Sequence, residues 1–301
     1  MKTLKGTRVL SLALNLPGPA ALLRLHAMGA RCVKIEPPPA GGAPAGASTD
    51  PMQAYAPQAY ADLHAGVRVL RIDLKSEAGQ GRLQRELARC DVLLTSFRPS
   101  ALKRLGLDWR RLHRQHPALS LVSIVGWPGA KAEIPGHDLT YMAENDLLSG
   151  LQQPPTLFAD MSGALLASEA VLQALLLRQA KGHGSRHEVA LSDAAAWLAL
   201  PRHWGLTHPG AKKGQGAGVL SGRHAGYRLY ACRDGRVAVA ALEPHFALAL
   251  GQAAGLDLRG VRDLLAEASH QQLARWFAGQ TRATLDQLAA ERDLPLHTLP
   301  P

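Results

Sequence analysis

Strand signals and helix signals alternate through the first half of this chain, and no other feature restricts its fold as much. Arg8 to Leu14 is a short apolar strand run, Asn15-Leu16-Pro17-Gly18-Pro19 reads as a turn, and Ala20 to Met28 as a helix. The theme then repeats. Gly29 to Glu36 and Val67 to Leu74 read as strands, Gly79 to Arg89 as an amphipathic helix, and Asp91 to Thr95 as a strand closed by the turn Ser96–Pro99. Leu121 to Val125 is one more strand, ended by Gly126. Strands separated by helices of about ten residues form βαβ units, and such units build a parallel sheet. The expected class is therefore α/β, with ligands bound beyond the carboxyl ends of the strands.

The rest of the chain changes character. A Pro/Gly/Ala-rich stretch from Pro37 to Ala47 reads as a mobile loop. A long helix is expected from Asp160 to Lys181, where Gly182 and Gly184 stop it. Beyond Ser192, Tyr227–Cys232 and Val237–Ala240 flank Arg233-Asp234-Gly235 as a hairpin, and helices fill the remainder. Two domains follow: a large one over residues 1–193 and a smaller α+β one over residues 194–301. Lys2 and Lys5 before the apolar run Val9–Leu23 mimic a signal peptide, but Asn15, Pro17, Gly18 and Pro19 interrupt that run. No segment is expected to span a membrane.

Charge narrows the partners. Lys and Arg outnumber Asp and Glu by 34 to 24, a formal charge of +10, which favours an anionic partner. The basic residues are scattered, and aromatics make up only 5% of the chain, so platforms for stacking bases are few. A phosphorylated small molecule fits better than nucleic acid. Cys32, Cys90 and Cys232 show neither metal-ligand spacing nor a disulfide framework, which points to a reducing, cytoplasmic setting.

Three polar residues stand at element junctions. Asp160 follows Pro154–Ala159 and opens the long helix, where an aspartate commonly caps unpaired N–H groups. There it is expected to hold a depressed pKa and to stay ionised. His137 lies in Pro135-Gly136-His137-Asp138-Leu139, where a loop histidine is commonly a polar surface or capping group but can also transfer protons. Glu243 ends a strand before Pro244, again a helix-cap position.

Taken in order, several segments resemble the family III CoA-transferase / α-methylacyl-CoA racemase family. They are Val9–Leu12 with Gly18-Pro19, Gly29–Pro38, Arg71–Ser76, Ala88–Leu93 with Phe97-Arg98-Pro99, Leu102–Leu107, and Pro135–Tyr141. The resemblance runs from about Gly6 to Leu299. It implies a Rossmann-like large domain and a smaller α+β domain. It matches Asp160 to the family's catalytic aspartate, His137 to the histidine that exchanges protons with it in racemases, and Glu243 to the glutamate that orients that histidine. It implies no prosthetic group, with coenzyme A as part of the substrate. Ile72 and Lys75 would border the adenine, and Ser96, Phe97, Arg98 and Arg104 would line the path of the pantetheine and phosphates. A homodimer is expected, with neither nucleic acid nor membrane as partner.

The sequence departs from the family pattern in places. Ser96 replaces the usual Asn before Phe97, the loop His64–Arg68 has lost polar and basic positions, and the segment between His137 and Asp160 is short. The family's C-terminal segment, which returns to the first domain and interlocks two subunits, does not follow Pro301. Three readings remain. They are an α-methylacyl-CoA racemase-like epimerase, a CoA-transferase using Asp160 alone, and a non-catalytic member that binds CoA or pairs with a longer partner. His137 and Glu243 favour the first.

Overall fold

The computed structural model describes residues 2–39, 41, 47–207 and 218–301. The chain divides into two compact units, residues 1–199 and 200–301. The boundary expected at 193/194 falls inside a helix, Leu191–His203. Most of the loop expected over Pro37–Ala47 lies outside the described residues.

The first unit is α/β. Its strands are β1 (Arg8–Ser11), β2 (Arg31–Glu36), β3 (Arg68–Arg71), β4 (Val92–Thr95), β5 (Ser120–Val125) and β6 (Arg186–Ala190). They form one parallel sheet in the order β3-β2-β1-β4-β5-β6, the doubly wound arrangement that reverses direction between β1 and β4. The helices of this unit are α1 (Pro17–Ala27), α2 (Pro51–Tyr55), α3 (Pro57–Leu63), α4 (Glu77–Leu87), α5 (Pro99–Arg104), α6 (Trp109–Gln115), α7 (Asp138–Glu144), α8 (Phe158–Lys181) and α9 (Leu191–His203). Because helices cover both faces, β4 and β5 are buried at every residue. Successive side chains of a strand point to opposite faces, and the two cores show it. Val9, Val92, Leu94 and Val122 pack in one cluster with residues of α1 and α8, while Leu10, Leu93 and Leu121 pack in the other with residues of α4 to α6.

The second unit carries an antiparallel sheet, β7 (Tyr227–Cys232), β8 (Gly235–Ala240) and β9 (Leu296–Leu299), in that order. Helices α10 (Pro244–Ala253), α11 (Glu267–Ala278) and α12 (Arg282–Arg292) complete it. Its own core holds Tyr230, Val237, Leu250, Leu273, Phe277 and Leu285. The hairpin register pairs Cys232 with Gly235, as the Arg233-Asp234-Gly235 signal implies.

Two expectations need correcting. Helix α8, with 24 residues and a mean hydropathy of 1.3 in its most apolar stretch, is long and apolar enough to cross a membrane. Its face of small residues, Gly163, Ala164, Ala167, Val171 and Ala174, is buried in the first unit, as in the core helix of a globular domain. The helix also starts at Phe158 with Leu157 in the capping position, so Asp160 lies inside its first turn and is not its cap.

One buried polar cluster ties the segment 48–64 to β2. Lys34 and Glu36, two apart on one face of the strand, are both 0% exposed. The Lys34 ammonium lies 2.8 Å from Glu36 Oε1, 2.5 Å from Asp50 Oδ2 and 2.9 Å from His64 Nε2. Burial, then the charge of Lys34, lowers the His64 pKa, so its neutral ring accepts from the ammonium and donates to the Tyr60 carbonyl. Burial alone would raise the Glu36 carboxyl, but the bonds it accepts from Lys34, Ser48 and Tyr60 bring it below its usual value. Removing Lys34 would leave the buried Glu36 and Asp50 carboxylates without their counter-charge, at a cost of about 3–5 kcal/mol.

Candidate active site

A cavity of about 150 Å³ opens where β1, β4 and β5 end, beside the reversal of strand order. Asn15 lines it from β1, Ser96, Phe97 and Arg98 from β4, and Gly126 from β5. His137, Tyr141 and Asp160 line it from the starts of two helices. The Ser96 hydroxyl accepts from the Leu14 N–H at 3.1 Å and joins the tails of β1 and β4.

His137 caps α7. Its N–H donates to Thr140 Oγ1 at 3.0 Å, and the Thr140 hydroxyl donates back to the His137 carbonyl at 2.7 Å. A Cβ on Gly136 would lie 2.5 Å from the Trp127 ring, so only glycine lets the loop pass this closely. Trp127 in turn meets the buried Tyr141 ring edge-on at 4.8 Å.

Asp160 stands one turn into α8, and its N–H donates to Asp138 Oδ1 at 2.9 Å. Asp138 is 4% exposed and supplies from α7 the capping carboxylate that α8 lacks at Leu157. Burial, then the charge of Asp138, raises the Asp160 carboxyl to about 7. The expectation of a depressed pKa is overturned: desolvation and a like charge outweigh the helix terminus. Burial, then the nearby Asp160 charge, likewise pushes the Tyr141 phenol up to about 12, which keeps it protonated.

A second, larger cavity of about 970 Å³ is lined by Lys75, Gln80, Phe97, Arg104, Gly106 and Arg111, among others. Phe97 lines both cavities. A small polar chamber thus shares the Phe97 wall with a larger cavity whose charged lining is Lys75, Arg104 and Arg111 with Asp73 and Glu77.

The sequence profile of CoA-transferase family III matches residues 4–299. The chain belongs to CoA-transferase family III. It is 28% identical over 287 residues to the alpha-methylacyl-CoA racemase of Mus musculus, covering 91% of this chain and 71% of that protein. It is 31% identical over 208 residues to a probable fatty acyl-CoA transferase of Mycobacterium tuberculosis, covering 65% of this chain and 52% of that protein. A solved structure of a CAIB/BAIF family protein from Brucella suis superimposes with a TM-score of 0.77 at 25% identity, covering 97% of this chain and 82% of that one. The family is one of enzymes, and its relatives include both racemases and CoA-transferases.

For this family III member the structure brings His137 and Asp160 into one cavity with Ser96, Phe97 and Arg98. Lys75 and Arg104 line the larger cavity. Ile72, expected at the adenine, is 4% exposed in the core and lines neither cavity, because it lies just past β3 beneath the loop that carries Lys75. Glu243 belongs to the second unit, where it is exposed and occupies the capping position of α10 without a capping bond. Sequence reasoning missed Asp138, Tyr141, Asn15 and Arg111. The first two sit in the same Gly136–Tyr141 motif as His137, and the other two carry no local signal. Glu36, Asp50 and His64 are spaced like metal ligands, but the Lys34 ammonium bonds all three and is the cation they hold.

Proposed function

We propose that this chain epimerises the α-carbon of an acyl-CoA thioester by 1,1-proton transfer, with Asp160 and His137 as the two bases. One observation carries the reading: the two side chains share a cavity in which the Asp160 carboxyl is raised to about 7. A group near neutrality can both take and return a proton, the property a two-base reaction requires. One base removes the α-proton and the C–H electron pair moves into an enolate. The other base delivers a proton to the opposite face, and the thioester is restored with inverted configuration. By its match to the family pattern, Glu243 is the counterpart of the glutamate that orients the histidine in racemases. The larger cavity, with Lys75, Arg104 and Arg111 at its edge, suits the CoA phosphates. We take the enzyme to work as a dimer in a reducing, cytoplasmic setting, in keeping with its free cysteines.

The test is incubation of single epimers of several 2-methylacyl-CoA thioesters in deuterated water. The expected result is gain of one deuterium at C2 with loss of optical purity. Absence of exchange across the panel by folded protein overturns the reading.

A second reading is favoured by the fatty acyl-CoA transferase relative. The Asp160 carboxylate would attack the thioester carbonyl and expel CoA thiolate, giving a mixed anhydride. The thiolate would then attack the aspartyl carbonyl, releasing the acid and leaving an aspartyl-CoA thioester. Hydroxylamine trapping after incubation with acyl-CoA would mark Asp160 as a hydroxamate in this case and leave it unmodified in the first.

A further inference from the structure

We infer that the Asn15 side-chain amide is the hydrogen-bond donor that receives the thioester carbonyl oxygen of the substrate. The inference rests on the acyl-CoA reading above and extends it to a residue that reading does not use.

Asn15 follows β1 at the reversal of strand order and lines the cavity that holds Asp160 and His137. Its φ is +63°, and among the described residues only Asp146 and Asp293 share a positive φ without being glycine. Asparagine tolerates this region better than most side chains, but glycine would occupy it without strain. What asparagine adds is an amide.

That amide is oriented from two sides. The Asn15 backbone N–H donates to Asp50 Oδ1 at 3.0 Å, and the other oxygen of Asp50 accepts from the buried Lys34 ammonium. The Tyr55 hydroxyl donates to Asn15 Oδ1 at 3.2 Å. Partial burial, then the charges of Asp50 and Asp160, raises the Tyr55 phenol, so it keeps the proton it donates. The amide's acceptor is therefore used. Its NH₂ group has no protein partner among the described residues, and Asn15 lines the same chamber as the Asp160 carboxyl.

In both chemistries the atom that gains negative charge is the thioester carbonyl oxygen, as an enolate or as a tetrahedral oxyanion. Its stabilisation needs a fixed, neutral donor, and Asn15 is one. Tyr55 and Asp50 are positioning residues in this scheme, because they act through Asn15.

The experiment uses Asn15→Gly, which keeps the positive φ and the N–H bond to Asp50 and removes only the amide. Calorimetry compares binding of an acyl-CoA thioester with the matching S-alkyl-CoA thioether, which lacks the carbonyl oxygen. The wild-type protein is expected to prefer the thioester by about tenfold. The variant should lose that preference while binding the thioether as before. Where α-proton exchange is measurable, it should fall by about 100-fold, and Tyr55→Phe should fall between the two. A variant that keeps the preference overturns the inference, and so does a wild-type protein with no preference. A wild-type protein that shows the Asn15-dependent preference but exchanges no α-proton overturns the epimerase reading and leaves this assignment standing.

Discussion

Asp160 holds a proton near pH 7 that an ordinary aspartate loses near 3.8, and this bears on both stability and rate. Between these values the folded protein keeps a proton that the unfolded chain releases. Stability therefore falls as pH rises from about 4 to about 7; below that window the group costs nothing, and above it the full penalty remains. A rise of about three pH units is worth about 4 kcal/mol at full strength, and solvent at the cavity mouth reduces this to about 2 kcal/mol. Asp160→Asn should thus be more stable than wild type by about 2 kcal/mol at pH 8 and equal to it near pH 3.5, measured by urea unfolding. The same variant should lose at least 100-fold in α-proton exchange. On the proposed epimerase reading Asp160 is one of the two bases, so its protonation state sets the rate. Exchange should therefore show a pH limb near 7. A flat profile from pH 5.5 to 8.5 would contradict the assignment. The sequence alone pointed to the opposite protonation state, because a helix start argues for ionisation. The burial and the Asp138 charge that reverse it arise only when residues 22 apart in sequence meet.

Helices α7 and α8 are joined at their starts, and this junction sets the site. Asp138 belongs to the first turn of α7 and accepts the Asp160 N–H of α8, so one carboxylate fixes both the backbone of Asp160 and its proton affinity. The two effects are separable. Asp138→Asn keeps a carbonyl acceptor for the N–H and removes the like charge, so the limb near pH 7 should move to lower pH. Burial, the larger cause, keeps it above the ordinary carboxylate range. Asp138→Ala should also cost about 1 kcal/mol through the lost cap, read by urea unfolding. An unmoved limb in Asp138→Asn would show that the like charge does not act on Asp160. At this scale the strands of the central sheet were readable because Val, Leu and Ile fill them on both faces. The edge strand β6 was not, since Arg186, His187 and Glu188 read as surface residues and only pairing with β5 makes them a strand. Strand β9 was missed because its four residues are defined by pairing with β8. Helices α2 and α3 owe their place to the buried Lys34 cluster, which links positions 34, 36, 50, 60 and 64 and leaves no periodic trace.

The chain as a whole carries a formal charge of +10, and its spread had little meaning until the fold placed some of it. Lys75 and the pair Arg104 and Arg111 come from two separate stretches of sequence and line one larger cavity, where Asp73 and Glu77 leave the charged lining net positive. A cation-edged groove on a positively charged protein should attract a polyphosphate with a strong dependence on ionic strength, because screening shortens the reach of charge from about 14 Å at 0.05 M to about 4 Å at 0.5 M. The Kd for free CoA should therefore rise by about tenfold across that range of sodium chloride. A short N-acetylcysteamine thioester has the acyl end and none of the phosphates, so its binding should be nearly unchanged. Arg104→Ala should weaken CoA binding by about tenfold at low salt through loss of a charge-assisted bond, with a shallower salt dependence and no effect on the short thioester. Equal salt dependence for both ligands would mean that the attraction is general to the protein's charge. Salt-independent CoA binding would remove the phosphates from this groove.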